Sequence, residues 1–306
     1  MKRTKILTSI ILVLISLIVL VVVTYKREII SDYIVKIVKK VSQKNIIIPE
    51  ESYNHRTYDY KSVSETDNFK PKYLDELKNV YYTFLNNGWN NFTFYCDVNY
   101  DNCKDDAEML LDDQEYLSFL NNYVSPFNSY IKFHTVITGN DQITLTVEKL
   151  YNDQEIKQIN DIVDKFITDN NLSSDLVTKS DIKLIHDYLI ENVTYDDENA
   201  DKDELVDSNK ASGALVNKVA LCSGYTDAFA IFMDKLGVPN FNISTEDHVW
   251  NVIYFDGKWR HIDVTWDDDE VNKNNNYNFY MINTDELLEK DKESHNFNQD
   301  LYLELK

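Results

Sequence analysis

A thiol, an imidazole and a carboxylate follow one another closely in this sequence, at Cys222, His248 and Asp263. These side chains form a catalytic set when the imidazole activates the thiol as a nucleophile and the carboxylate orients the imidazole. Each residue alone has an ordinary structural interpretation, since a lone cysteine on a helix is usually a small buried apolar residue. Their order, spacing and expected local structure together indicate nucleophilic catalysis.

The residues after Cys222 predict a helix that begins near the cysteine. An apolar-periodic run is followed by Gly237-Val238-Pro239, which is typical of the end of a helix. The run consists of Ala228, Phe229, Ile231, Phe232 and Leu236. Cys222 therefore lies in the first turn, where unpaired backbone amides carry a partial positive charge that favours a thiolate over a thiol. The same amides could hold an oxyanion.

The other two residues come from a predicted hairpin. Residues 247–255 and 258–266 are rich in β-forming side chains, and Asp256-Gly257 between them is a strong hairpin turn signal. A two-residue turn pairs Phe255 with Lys258 and so places His248 opposite Thr265. Asp263 is then the diagonal neighbour of His248 on the same face, about 7–8 Å away between backbones and within side-chain reach. The tight turn fixes this register.

Five short motifs resemble the core of the transglutaminase-like superfamily. They are Leu221-Cys222-Ser223-Gly224-Tyr225, Leu236-Gly237-Val238-Pro239, His248-Val249-Trp250-Asn251, Asp256-Gly257-Lys258-Trp259 and Asp263-Val264-Thr265-Trp266-Asp267-Asp268. The resemblance covers roughly residues 180–285 and is weak before residue 150. It implies an α+β fold of papain-like, transglutaminase-like type, with the cysteine on a helix and the histidine and aspartate on adjacent strands. It also implies that Cys222 is the nucleophile, His248 the general base and Asp263 its orienting partner.

Other residues near these positions could contact a substrate. Trp250 lies on the same predicted hairpin face and is a candidate wall of the acyl site, with a core aromatic residue as the equally weighted alternative. Ser223 and Tyr225 follow the cysteine and are candidate substrate or oxyanion residues. His261 shares the face of His248 by strand alternation, and we interpret it as a supporting or structural residue.

The sequence predicts no metal site and no other cofactor. Neither CxxC nor HExxH occurs, so the spacing of a zinc site is missing. The acidic run at residues 267–270 lacks the alternating ligands of an EF-hand loop, and we expect a solvated loop there instead of a calcium site. The remaining histidines are assigned no site role: His186 is interpreted as a core or capping residue, and His55, His134 and His295 receive no assignment.

The N-terminus predicts a membrane anchor. Residues 6–23 form an apolar run after Lys2, Arg3 and Lys5, and the length of that run suits a spanning helix better than a cleaved signal peptide. The lysines after the run do not favour a cytoplasmic N-terminus, but a large domain behind such a start crosses a membrane largely regardless of charge. We therefore expect a single-pass protein with residues 1–5 in the cytoplasm and the catalytic domain outside it. Residues 29–48 are amphipathic and fit a helix on the membrane surface or an ordinary stalk helix equally well.

The charge is divided unevenly along the chain. Residues 1–48 contain nine basic and two acidic side chains, a net charge of +7, whereas the whole chain carries −21 and residues 49–306 therefore carry −28. Such an acidic body repels phosphate backbones, which argues against nucleic acid as a partner. Cys96 and Cys103 are seven residues apart and could form a disulfide outside the cytoplasm or remain free thiols.

The apolar pattern also predicts how the chain is organised. We expect a stalk or linker at residues 24–71, a small α+β unit at 72–150 and the catalytic core at 151–306. The small unit would contain a helix from Lys72, a strand at 92–98, a helix at 105–121, and a hairpin of strands 131–138 and 142–148. Helices at 153–170 and 179–192 would begin the core.

These observations predict a membrane-anchored, surface-exposed cysteine acyl-transfer enzyme. Its substrate would be an amide group of a protein or peptide, with cell-envelope material as one source. The same three residues would serve a cysteine peptidase or amidase if water is the acceptor, and the sequence leaves that choice open because it depends on how long water is excluded from the thioester. The alternatives from another class are a catalytically silent surface scaffold and a cell-wall-binding protein in which the triad is incidental.

Overall fold

A mixed set of helices and strands builds the protein. The computed structural model describes residues 2–202, 204–268 and 277–306, with side chains from residue 10 onward. The helices are α1 (Lys2–Tyr25), α2 (Arg27–Ser42), α3 (Leu74–Asn86), α4 (Cys103–Asp112), α5 (Gln114–Asn122), α6 (Asp153–Asp169), α7 (Lys179–Asn192), α8 (Cys222–Lys235), α9 (Val264–Asp267) and α10 (Thr284–Lys290). The strands are β1 (Asn91–Tyr95), β2 (Tyr130–Thr138), β3 (Gln142–Lys149), β4 (Thr194–Tyr195), β5 (Val219–Ala220), β6 (Asn240–Ser244), β7 (Val249–Phe255), β8 (Lys258–Ile262) and β9 (Tyr280–Ile282). The predicted combination of α and β elements is confirmed.

Three sheets are formed by the described residues. β1, β3 and β2 make an antiparallel sheet in the order β1-β3-β2, and β4 pairs with β5 in a short parallel ladder. The third sheet has the order β6-β7-β8-β9, and all its pairs are antiparallel. This sheet carries the predicted hairpin, so its faces and ends determine where the site can lie.

The hairpin register is as predicted, but its strands are shorter. Phe255 pairs with Lys258 across the two-residue turn, and the ladder continues to Asn251 and Ile262. His248 therefore precedes β7, and Asp263 follows β8 and caps the N-terminus of α9. The expected placement of both residues inside paired strands was wrong, because the Asp263 side chain caps a helical turn by accepting from the Trp266 amide, which ends the strand.

The β6–β9 sheet separates two hydrophobic cores. Side chains on one face, including Ile243 and Trp250, join a core shared with α3, α4, α5 and β1–β3. Side chains on the other face, including Ile253 and Ile262, pack with α6, α7 and α8. Because strand residues alternate between faces, neighbouring positions of β7 contribute to different cores. Both sides of the sheet are thus buried by helices.

One predicted helix is divided into two helices in the structure. Residues 105–121 were expected to form a single helix, but α4 ends at Asp112 and α5 begins at Gln114. Asp113 between them leaves the helical conformation, and its Oδ1 accepts from the Tyr116 amide at 2.9 Å. An aspartate that satisfies an amide of the next turn competes with a continuous helix, which accounts for the break.

The segment expected as a linker is packed on the protein. Residues 49–71 contain no helix or strand, yet the guanidinium of Arg56 is buried. Its Nε lies 3.0 Å from Asp234 Oδ1 in the last turn of α8, and its other nitrogens donate to the backbone and side-chain oxygens of Asn240. Tyr60 also donates to the Asn240 carbonyl oxygen. This segment therefore binds to the same helix and sheet that carry the candidate site.

Cys96 and Cys103 are joined by a disulfide, with their Cα atoms 6.4 Å apart. Of the two alternatives left open by the sequence, the structure contains the bridged form. By the loop-entropy relation, closing this short loop contributes about 2 to 2.5 kcal/mol to stability. Cys222 is the free cysteine and is half-buried.

The predicted membrane span at residues 6–23 lies within α1. Across residues 10–306 that the structure describes with side chains, no single helix has the length and apolar character of a membrane span. The two segments Ile10–Tyr25 and Arg27–Ser42 meet these criteria only together, and they are bent by 77°.

Candidate functional site

Cys222 is the first residue of α8. Leu221 before it is extended, and no acidic side chain occupies the first turn of the helix. The amides of this turn have no acceptor within the helix, so they give its N-terminus a partial positive charge beside the thiol. The predicted position of the cysteine is confirmed.

Gly224 allows the start of α8 to pack directly on backbone. A Cβ at this position would overlap the Ser208 carbonyl oxygen and would lie 3.0 Å from the Lys210 carbonyl oxygen. Gly213 also packs on the backbone of residues 207–210, because a Cβ there would lie 2.5 Å from the Asp207 carbonyl oxygen. These contacts hold the turn that carries Cys222 against residues 207–210.

We expect Gly224→Ala to destabilise the protein by roughly 1–3 kcal/mol, because the new methyl group must push the start of α8 away from rigid backbone. Thermal or urea unfolding of the purified protein measures this loss. Ser223→Ala is the matched control, since it places the same side chain on the neighbouring half-buried position. An unchanged unfolding midpoint for Gly224→Ala would contradict the close packing.

His248 connects the thiol to the carboxylate. Its Nε2 donates to Asp263 Oδ2 at 2.5 Å, and its side chain also hydrogen-bonds that of Cys222. Because Nε2 is used by Asp263, Nδ1 is the ring nitrogen left for the thiol. The imidazole is stacked on Trp250 with ring centroids 5.7 Å apart and is 8% exposed, so its orientation is fixed by packing and hydrogen bonding.

The charges of the three residues support one another. Burial would lower the pKa of His248, but the Asp263 carboxylate and the Cys222 thiolate raise this pKa to about 10. Burial would likewise raise the pKa of Asp263, but His248 and His295 hold it well below its usual range. An imidazolium at His248 is therefore stable at neutral pH.

Two predicted contact residues lie inside the protein. Trp250 is completely buried and its Nε1 donates to His261 Nδ1 at 3.0 Å, which favours the core-aromatic alternative. Tyr225 is also buried, and its hydroxyl donates to Asp268 Oδ2 at 2.5 Å. Ser223 is half-buried next to the cysteine, where its Oγ accepts from Asn209 at 3.4 Å.

His261 contacts the site through Trp250, on which His248 is stacked. Its Nδ1 accepts from Trp250, and its Nε2 faces Thr284 Oγ1 at 3.1 Å. Burial, together with the nearby His295, lowers the pKa of His261 to about 3, so the ring is neutral. This agrees with its interpretation as a supporting residue, since it fixes the indole on which His248 is stacked.

Two residues at the site were missed by sequence reasoning. His295 is fully buried and its Nε2 lies 2.9 Å from Asp263 Oδ2, although the histidine had received no assignment. Trp266 is 41% exposed and its ring lies edge-on to His248, with centroids 6.0 Å apart, so it can contact a bound substrate. Trp266 belongs to a quoted motif, but no sequence pattern links His295 to the site.

A family model for the transglutaminase-like superfamily matches residues 167–264, a range that contains Cys222, His248 and Asp263. The chain carries a transglutaminase-like domain. The match extends from the end of α6 to the start of α9, and it therefore includes α8 and the β7–β8 hairpin.

Two solved structures that are similar to part of the chain are described as a TGase and as a candidate cysteine protease. A structure described as a TGase is 17% identical, with a TM-score of 0.33, over 47% of this chain and 46% of that one. A candidate cysteine protease from Cytophaga hutchinsonii is 11% identical, with a TM-score of 0.28, over 44% of this chain and 62% of that one. The chain thus spans about half of the first structure and less than two thirds of the second. No curated protein matches the sequence significantly.

Beside the transglutaminase-like domain's hairpin, the acidic run is only partly solvated. Asp267 is fully buried, and its Oδ2 faces His186 Nε2 at 3.1 Å. Burial raises the pKa of Asp267. The expectation of a solvated loop was wrong for Asp267, because the buried His186 and the Phe279 amide provide its partners. Asp269 and Glu270 lie outside the described residues.

One cluster in the described residues has the composition of a metal site. His248, Asp263 and His295 each place a ligand atom within 4.8 Å of the others. Ligands of a tetrahedral zinc ion at about 2.0–2.1 Å are separated by about 3.3 Å. Both Nε2 atoms lie closer than this to Asp263 Oδ2, at 2.5 and 2.9 Å, so the arrangement fits two hydrogen bonds better than coordination.

Proposed function

We propose that this protein is a cysteine acyl-transfer enzyme that acts on amide groups of proteins or peptides. The observation that carries the proposal is the His248 side chain, which hydrogen-bonds the side chains of both Asp263 and Cys222. Cys222 also begins a helix, so its thiol lies beside unpaired amides. A transglutaminase-like domain in this range supports the proposal but leaves the acceptor open.

The first half of the reaction forms a thioester. The Cys222 thiolate attacks the carbonyl carbon of the substrate amide, and amides in the first turn of α8 stabilise the resulting oxyanion. The His248 imidazolium then gives its proton to the leaving nitrogen as the carbon–nitrogen bond breaks. Neutral His248 and an acyl-thioester on Cys222 remain.

The second half transfers the acyl group. His248 accepts a proton from the incoming amine or water, whose nitrogen or oxygen attacks the thioester carbonyl. The carbon–sulfur bond breaks and restores the thiolate and the imidazolium. An amine acceptor gives a cross-link, whereas water gives hydrolysis. We favour amine transfer as the reaction to test first.

The experiment follows both products in one incubation. Full-length protein in detergent is mixed with glutamine-bearing peptides and a labelled primary amine, and mass spectrometry detects amine incorporation and new peptide termini. Incorporation identifies a transglutaminase, and new termini identify a peptidase. Conversion of glutamine to glutamate identifies an amidase, and if no such conversion and neither product is found with broad peptide and cell-envelope substrates, the silent-scaffold alternative is correct.

We also propose that α1 anchors the protein in a membrane with its body outside the cytoplasm. The apolar run at residues 6–23 and the Cys96–Cys103 disulfide support this location, because disulfides persist in oxidising compartments. We expect protease added to intact cells to digest the body of the protein. Protection of residues 49–306 in intact cells, with digestion after lysis as the control, would place the domain in the cytoplasm.

A further inference from the structure

Asp263 lies between two histidines. Its Oδ2 accepts from His248 Nε2 at 2.5 Å and faces His295 Nε2 at 2.9 Å, while its Oδ1 accepts from the Trp266 amide. His295 is fully buried and lies beyond α10, in a stretch without helix or strand. The carboxylate that orients His248 is therefore shared with a second imidazole.

Both ring nitrogens of His295 face acceptors. Its Nδ1 lies 3.1 Å from Asp291 Oδ2 and 3.2 Å from the Asp291 carbonyl oxygen, and its Nε2 faces Asp263. Partial burial would raise the pKa of Asp291, but hydrogen bonds from Ser294 and Glu293 lower it, so its carboxylate accepts. A neutral imidazole has only one N–H and would direct a lone pair at an oxygen, whereas an imidazolium donates at both positions.

We propose that His295 is a positioning residue that acts through Asp263: as an imidazolium, it holds Asp263 Oδ2 in place and shares the negative charge that His248 would otherwise meet alone. This inference rests on the proposed function, because it concerns the proton that His248 gives and takes during acyl transfer.

The arrangement alternates in charge from the thiolate of Cys222 to the carboxylate of Asp291, through His248, Asp263 and His295. His248 must release its proton to the leaving nitrogen. A carboxylate that accepted a hydrogen bond from His248 alone would hold that proton more tightly. His295 reduces this hold by donating to the same oxygen and by placing a second positive charge nearby. Asp263 can therefore orient His248 without preventing the proton transfer.

The side chains around His295 indicate that this residue carries the second positive charge near Asp263. The titratable side chains around it are Asp263, Asp291, His248 and His261, and the rings packed against it belong to Trp250, Trp266 and Phe279. His261 is held neutral by burial. The charge that balances Asp263 against His248 thus comes from His295.

The test is a histidine titration by ¹⁵N NMR of full-length protein in detergent, in a Cys222→Ala background. Cys222 contributes to the high pKa of His248, so its removal brings that titration to a lower pH. We expect His295→Gln, which keeps an N–H donor but removes the charge, to raise the His248 midpoint by about one pH unit. Asp263→Asn should move it in the opposite direction, and His134→Gln, at an exposed strand position, should leave it unchanged.

A His248 midpoint that does not rise in His295→Gln would overturn the inference. If that variant does not fold, the parent protein still provides the test, because ¹⁵N shifts of a neutral His295 ring at pH 7 would also refute it. In an active enzyme, His295→Gln is expected to lower kcat about tenfold with little change in KM. The titration needs no substrate, so a failure of the proposed function would appear separately, as absence of Cys222-dependent turnover in the wild type.

Discussion

Cys222→Ala and His248→Ala are each expected to reduce acyl transfer by roughly 10⁴-fold or more, because the nucleophile and its proton-transfer partner act as one unit. Amine incorporation and new peptide termini should both fall in these variants. For the same reason the double variant should be scarcely worse than either single one.

Controls separate this loss from a loss of folding. His134→Gln, at an exposed position of β2 outside the site, should keep the activity, and all variants should unfold at temperatures close to that of the wild type. Full activity in Cys222→Ala would end the proposal. Alkylation gives an independent check, since Cys222 in the native protein should react with iodoacetamide faster than a peptide thiol. Cys96 and Cys103, which are bridged, should not react without reductant.

Asp263→Asn is expected to lower turnover by about 10²- to 10⁴-fold and to shift its pH dependence. Asp263 is a main cause of the high pKa of His248, so replacing its carboxylate moves that pKa down from about 10 towards the ordinary value of 6.5. The wild-type imidazolium survives until the pH rises through about 10, whereas the variant should lose it at a lower pH. The alkaline limb of the rate profile should therefore move to lower pH.

The alkaline limb can be measured without a substrate from the rate at which iodoacetate alkylates Cys222. This reagent is anionic, so the site attracts it only while His248 is an imidazolium. Profiles from pH 5 to 11 would be compared with those of Asp247→Asn. Asp247 is an exposed carboxylate next to His248 in the chain, so the control makes the same change without breaking a buried contact. An alkaline limb that stays in place in Asp263→Asn would show that this carboxylate does not govern His248.

The parts of the site that follow local rules could be predicted from the sequence. A helix starting at Cys222 is specified by its apolar periodicity and its Gly237-Val238-Pro239 end, and the Asp256-Gly257 turn fixes the hairpin register. The helix start places Cys222 in the first turn of α8, and the hairpin register brings His248 and Asp263 close together. Most predicted elements of residues 72–192 agree for the same reason, as the bounds of α6 and α7 show.

The parts that depend on tertiary contacts could not be predicted. His295 reaches Asp263 from a stretch without periodicity, and only the folded chain brings the two side chains together. Asp113 divides one expected helix because its carboxylate finds an amide partner, which helix propensity does not reveal. Asp267 looks solvated in an acidic run but is buried against His186. In each case a specific hydrogen bond outweighs the tendency read from neighbouring residues.

The attachment of Arg56 to Asp234 and Asn240 bears on what the smallest autonomous folding unit is. A fragment cut to the matched range 167–264 would strip the cover from one face of the sheet, exposing Phe241, Ile243 and Trp250 to water. A fragment that starts after Arg56 would also lose the ion pair that attaches this segment to Asp234. We therefore expect the matched range to fold only together with chain from well upstream of the family match, because that chain buries one face of its sheet.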